Sequence, residues 1–312
     1  MRAQEPHPQL QAFIEESEDA PAFHELPVEE VRGITADVFA VEESEPVGEV
    51  IDETIDGPGG ELSVRMYLPE GEQPFPVTMF FHGGGFVSGS LDSHDEFCRR
   101  IVNVSDVAVV AVDYRLAPEH PFPAAVEDAY AATEWVSEHG GEFGLDTDKL
   151  AVTGDSAGGN LAAVVSQMAR DRDGPTIAHQ ALLYPTVSAR DDWESLEENG
   201  EGYFITKEDL AWFDEKYFDH EIDRMNVYAS PLLTADLSDL PPATLVTGGF
   251  DPLRDEGVAY GERLEEAGVD VTHYHYDDAI HAFVQLAAAP FEFDPARDAL
   301  DDVSSDLQSA LK

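Results

Sequence analysis

The chain has 312 residues, 43% of them hydrophobic, and sets 65 Asp plus Glu against 17 Lys plus Arg for a formal net charge of -48. Nucleic acid and anionic membrane surfaces are excluded as partners, because both would repel such a charge. Disorder is excluded as well, since 17 Phe, 10 Tyr and 3 Trp stand among clear apolar runs that an acidic disordered chain lacks.

Residues 1–45 are acidic and helix-like, and the first six residues carry no basic stretch leading into an apolar run, so no secretion signal is expected. No run approaches the length of a membrane span, and a cytoplasmic protein is expected. Strand-like runs follow at 50–55 and 62–68, with hairpin spacing. The next run, 77–81, leads into His82-Gly83-Gly84-Gly85-Phe86. Consecutive glycines let backbone N–H groups approach a ligand oxygen with no side chain in between, as stabilisation of a developing oxyanion requires. The amides of Gly83 and Gly84 are the expected donors. A helix is expected over 95–104, where Cys98, the only cysteine, is a small packed residue; one cysteine permits neither an intrachain disulfide nor a cysteine-built zinc site.

After a strand at 107–112 and a helix at 124–139, the run 150–153 meets Gly154-Asp155-Ser156-Ala157-Gly158, and a helical stretch continues to 170. A serine between two glycines at a strand-to-helix junction has the form of a nucleophile elbow: the turn is strained, and the glycines remove side chains that would strike the neighbouring strand and helix. A plain tight corner is the bland alternative. A phosphate cradle fails, because no Gly-Lys-Ser/Thr follows. Ala157, directly after the serine, supplies a third oxyanion donor. Another strand is expected at 180–184, and the alternation then breaks at 188–226, a stretch holding Trp193, Tyr203, Phe204, Trp212, Phe213, Tyr217 and Phe218. Most of these aromatics are expected to anchor the insertion on the core. Phe204, Trp212 and Phe213, with Phe86, are the expected substrate contacts.

The strand at 243–247 ends in Gly248-Gly249-Phe250 and gives Asp251-Pro252-Leu253-Arg254-Asp255. Asp251 is the first acid beyond the strand and suits the orientation of an imidazole; Asp255 is the alternative, read more simply as a first-turn acid of the helix that follows to 267. A strand at 271–276 precedes a loop over 277–283 that carries His281. His273 and His275, two residues apart, share one strand face. The chain order Ser156, Asp251, His281 is that of a hydrolase triad. A closing amphipathic helix covers 294–311.

These motifs resemble those of the hormone-sensitive lipase family of α/β-hydrolases, in the branch of microbial esterases whose elbow is Gly-Asp-Ser-Ala-Gly. The resemblance spans His82 to Phe86, Asp113-Tyr114-Arg115-Leu116-Ala117-Pro118-Glu119 with Pro121-Phe122-Pro123-Ala124-Ala125, the elbow, Asp251 to Asp255, and His281. It implies oxyanion glycines, a structural loop beside the site, nucleophile, acid and base at those positions. It departs at Ala282, where the family commonly has glycine. The expected fold is an α/β-hydrolase with a mostly parallel eight-stranded sheet flanked by helices and a helical cap. Residues 1–45 and 188–226 are assigned to the cap, and 46–187 and 227–312 to the two parts of the core.

The expected function is hydrolysis of short- to medium-chain carboxylic esters through a serine acyl-enzyme, with no metal and no cofactor. The alternatives are an amide hydrolase or peptidase using the same triad, or a ligand-binding protein on the same scaffold without catalysis. The partner is a small-molecule ester, and a homo-oligomer is possible. The charge and the scarcity of lysine, found only at Lys149, Lys207, Lys216 and Lys312, imply adaptation to high salt, which screens the self-repulsion.

Overall fold

The computed structural model describes every residue except Glu18, Asp19, Ala189 and Asp191, which fall within the two segments assigned to the cap. The strands are β1 (Glu49–Gly57), β2 (Gly60–Leu68), β3 (Phe75–Phe81), β4 (Ala108–Val112), β5 (Leu145–Asp155), β6 (His179–Leu183), β7 (Ala243–Phe250) and β8 (Val271–Ile280). The helices are α1 (Pro8–Ser17), α2 (Val28–Val38), α3 (Asp95–Ser105), α4 (Ala124–His139), α5 (Ala157–Asp171), α6 (Glu194–Asn199), α7 (Lys207–Tyr217), α8 (Arg254–Glu266) and α9 (Asp294–Ala310).

One sheet runs in the order β1-β2-β4-β3-β5-β6-β7-β8. β2 is antiparallel to both β1 and β4, and every pair from β4 to β8 is parallel. The parallel strands are continuous apolar runs because both their faces are covered. Every residue of β4, β6 and β7 is buried. On one face α4, α5 and α8 pack through residues such as Val126, Leu161 and Leu264; on the other, α3 and α9 pack through Phe97, Ile101, Leu300 and Val303. The expected α/β-hydrolase architecture is therefore present, with all the glycine-rich motifs at the carboxyl ends of parallel strands, where open α/β sheets bind ligands.

Two strands are longer than their apolar runs. β5 begins at Leu145, and β8 continues through Asp277 and Asp278 to Ile280, so the loop expected over 277–283 starts only at His281. An irregularity in the β7–β8 pairing between Gly248 and Phe250 allows this extension. The amides of Ala3 and His7 donate to the carbonyls of Asp277 and Asp278, so the N-terminal segment is laced to the end of β8. That segment also meets the insertion after β6. His24 donates its backbone N–H to Asp209 on α7 and pairs with the same oxygen through Nδ1, at 2.9 and 2.8 Å. Arg2 reaches Asn199 on α6 at 2.7 Å.

Candidate active site

Ser156 is the single residue between β5 and α5, and its backbone sits at φ 55°, ψ −114°. A non-glycine residue held there is strained, and the surroundings enforce it: the Ser156 amide donates to the Leu183 carbonyl at 2.9 Å. A side chain on Gly154 would strike the Gly158 carbonyl, and one on Gly158 would strike the Phe81 carbonyl of β3. The two glycines thus let the elbow press against the strand that carries the glycine-rich loop.

Asp251 leaves the end of β7 and His281 leaves the end of β8. His281 Nδ1 lies 2.9 Å from Asp251 Oδ2, and His281 Nε2 lies 2.9 Å from Ser156 Oγ. A carboxylate can only accept, so Nδ1 carries the proton and Nε2 is left to accept from the serine hydroxyl. Asp251 is fully buried and His281 is 3% exposed. The second oxygen of Asp251 accepts from the Leu253 amide at 2.7 Å, which fixes the carboxylate plane. Asp255 is engaged elsewhere: it accepts from the Ser195 amide and pairs with Arg254, each at 2.8 Å. His273 and His275 both turn to Thr247 Oγ1, at 2.8 and 2.9 Å, away from Ser156. Ala282 takes a left-handed backbone at φ 62°, a conformation that glycine adopts more readily than alanine.

The glycine-rich loop corrects one expectation. The Gly83 amide donates to Asp155 Oδ1 at 2.8 Å inside the protein, so it is not free to meet an oxyanion. The amides of Gly84, Gly85 and Ala157 have no acceptor among the described residues. Gly84 and Gly85 adopt φ of 110° and 61°, so Gly85 rather than Gly83 joins Gly84 in presenting an uncommitted amide. Beneath the loop, Tyr114 stacks on His82 with centroids 4.2 Å apart and donates to the His82 carbonyl at 2.6 Å. Burial, reinforced by His94, pushes the His82 imidazole down to about 3, so the ring is neutral. Its Nδ1 then serves the Gly83 carbonyl at 2.7 Å.

Ser156 and His281 open into a cavity of about 1070 Å³ whose wall includes Phe86, Phe204 and Phe213. Trp212 is not part of that wall, contrary to expectation. It neighbours Phe213 along α7 and therefore points about 100° away. Its ring packs edge-on against Phe213 at 5.1 Å, under the Lys216 ammonium at 5.6 Å. Phe13 and Phe23 from the N-terminal segment also join the wall, as do Glu256 and Gln285, none of them marked by a motif. Phe23 packs on both Phe204 and Phe213, at 6.2 and 6.0 Å. Glu256 accepts from the amides of Val187 and Ser188 at 2.7 and 3.3 Å.

A family model described as the alpha/beta hydrolase fold matches residues 78–285. The chain belongs to that family, in its hormone-sensitive-lipase-like part. It is 46% identical over 243 residues to Esterase LipI of Mycobacterium tuberculosis, with 76% of each chain covered. It is 38% identical to an ethyl acetate hydrolase of Pseudomonas putida, again with 76% of each covered. Among solved structures, a hyperthermophilic esterase from Pyrobaculum calidifontis superposes with a TM-score of 0.91 at 39% identity, covering 98% of this chain and 99% of that one. No helix among the described residues is long and apolar enough to cross a membrane.

Proposed function

We propose that this carboxylic-ester hydrolase cleaves short- to medium-chain carboxylic esters through an acyl-enzyme on Ser156. The carrying observation is the chain of two 2.9 Å hydrogen bonds from Ser156 through His281 to a buried Asp251, at the floor of a largely apolar cavity. In this mechanism His281 Nε2 takes the hydroxyl proton as Ser156 Oγ attacks the ester carbonyl carbon. Asp251 keeps the imidazole in the required tautomer and stabilises the cation that forms. The oxyanion is held by the amides of Gly84, Gly85 and Ala157. Collapse of the tetrahedral intermediate expels the alcohol oxygen, which takes its proton from His281. Water then repeats the sequence on the acyl-enzyme and releases the acid.

Residues 1–45 and 188–226 form a two-part cap over the acyl and alcohol sites in this reading. The contacts of His24 with Asp209 and of Phe23 with Phe204 and Phe213 support it. The enzyme works at high salt, a reading supported by the net charge of -48, and such a charge suits a salt-rich cytoplasm. Labelling with an organophosphonate that modifies activated serines, with peptide mapping, tests the mechanism. The adduct is expected on Ser156; a folded protein that hydrolyses esters but is labelled elsewhere overturns it. A panel of esters with graded acyl chains tests the substrate range.

A further inference from the structure

Gln285 lies four residues beyond His281, in the short 3-10 turn Phe283–Ala287. It lines the cavity that holds Ser156 and His281 and is only 6% exposed. Its amide nitrogen is shut off from water, and neither polar atom of the side chain has a hydrogen-bond partner among the described residues. That N–H has lost its hydration and gained nothing in exchange, so it lowers stability, whereas the side-chain oxygen is not shut off and is left open to a donor. Of the other unpartnered groups among the described residues, the indole N–H of Trp193 also belongs to the cavity wall, but it stands on the insertion and not on the stretch that follows His281. Tyr130 and His179 lie away from the cavity, and His94, although in its wall, faces Asp155 Oδ1 at 3.6 Å.

The reaction itself says which part of a substrate would meet Gln285. His281 Nε2 must hand its proton to the departing alcohol oxygen, so that oxygen lies beside His281. The alcohol portion therefore extends along the residues that flank the histidine in the wall, Ala282, Gln285 and Leu286. Ala282 and Leu286 offer only apolar surface, which leaves the Gln285 amide as the polar feature of this stretch. We propose that Gln285 is a specificity-determining residue that hydrogen-bonds a hydroxyl group on the alcohol portion of the ester, favouring hydroxyl-bearing alcohols over plain alkyl ones. The side-chain oxygen suits a hydroxyl in particular, because a hydroxyl can donate its proton to it and a plain alkyl group cannot. The proposal rests on the esterase reading above.

The test compares 2-hydroxyethyl butyrate with propyl butyrate, which differ by OH against CH₃ at one position, on wild type, Gln285→Leu and Gln285→Met. Wild type is expected to favour the hydroxyl ester in kcat/KM by on the order of tenfold, the worth of one well-made hydrogen bond. Both variants should lose that preference through slower turnover of the hydroxyl ester, while hydrolysing propyl butyrate at least as well as wild type. Their Tm should be unchanged or raised, since an uncompensated amide has been removed; Met, flexible and near in volume, stands in should Leu pack poorly. A kcat/KM ratio that is the same in wild type and the folded variants overturns the role of Gln285 and leaves the esterase reading standing. Hydrolysis of neither ester by wild type overturns the esterase reading and this proposal with it.

Discussion

Asp155 stands beside the nucleophile yet takes no part in the proton relay; its carboxylate holds the Gly83 amide, and through it the glycine-rich loop. Asp155→Ala is therefore expected to lower kcat by about 10²-fold, the scale of losing an oxyanion donor, with a smaller change in KM. Asp155→Asn keeps an oxygen acceptor and should recover most of that loss; steady-state kinetics on the two variants decides it. The triad variants set the upper limit. Ser156→Ala and His281→Ala should each lose nearly all ester hydrolysis, roughly 10⁶-fold, and Asp251→Asn about 10⁴-fold. Asp255→Asn should lose less than about tenfold, because its carboxylate serves Ser195 and Arg254. A larger loss in Asp255→Asn than in Asp251→Asn would move the acid to Asp255. The order Ser156, Asp251, His281 was legible because Ser156 and Asp251 stand just beyond apolar strands and His281 in the loop after the last strand-like run. Gly85 was not legible, because the choice among three consecutive glycines depends on the φ of Gly84 and Gly85 and on a carboxylate 72 positions away from Gly83.

Among the elements, α8 does more than cover the sheet. Its Glu256 is buried and accepts from the Val187 and Ser188 amides, which fastens the stretch that leads from β6 into the insertion. Burial pushes this carboxyl up to about 8 from its ordinary 4.5, although the two amide donors pull the other way. Because the native-state value is the higher one, the folded protein holds more protons than the unfolded chain between about pH 4.5 and 8. The contribution of Glu256 is thus full at the acid end of that window and is lost as pH rises through it. Glu256→Gln removes this titration, so its Tm should fall less steeply than that of wild type between pH 5 and 8. Parallel Tm–pH curves for the two proteins would show that Glu256 does not titrate in the window. The strands and helices of the core were legible as apolar runs and periodic stretches. Glu256 was not, since an acid in the first turn of a helix is ordinarily a solvated partner of the dipole.

At the level of the whole molecule, charge outweighs any single contact. The basic residues are spent locally, as in Arg65, which meets Asp52, Asp92 and Asp95 together. Against 65 acidic residues, 17 basic ones leave a large uncompensated excess that folding concentrates. At about 1 M salt the Debye length falls to about 3 Å and this repulsion is screened. Tm and ester turnover are therefore expected to rise together from dilute buffer into molar KCl. Surface ion pairs alone would give the opposite trend, because salt weakens attraction as well. A Tm that is flat or falling across the series removes the high-salt reading and leaves the triad assignment untouched.

The N-terminal segment and the insertion are joined by His24 with Asp209, by Phe23 with Phe204 and Phe213, and by Arg2 with Asn199. Asp209 is 1% exposed and also closes a capping box with Thr206 at the start of α7, so its anchoring and its capping are inseparable. For anyone recombining this enzyme with a relative, the two stretches are one cassette cut in half by most of the polypeptide. Exchanging 188–226 alone pairs a foreign α7 with the native His24 and Phe23, and such hybrids should express poorly or lose selectivity. Moving both pieces together carries the matched surfaces across and leaves the catalytic strand ends as a common chassis.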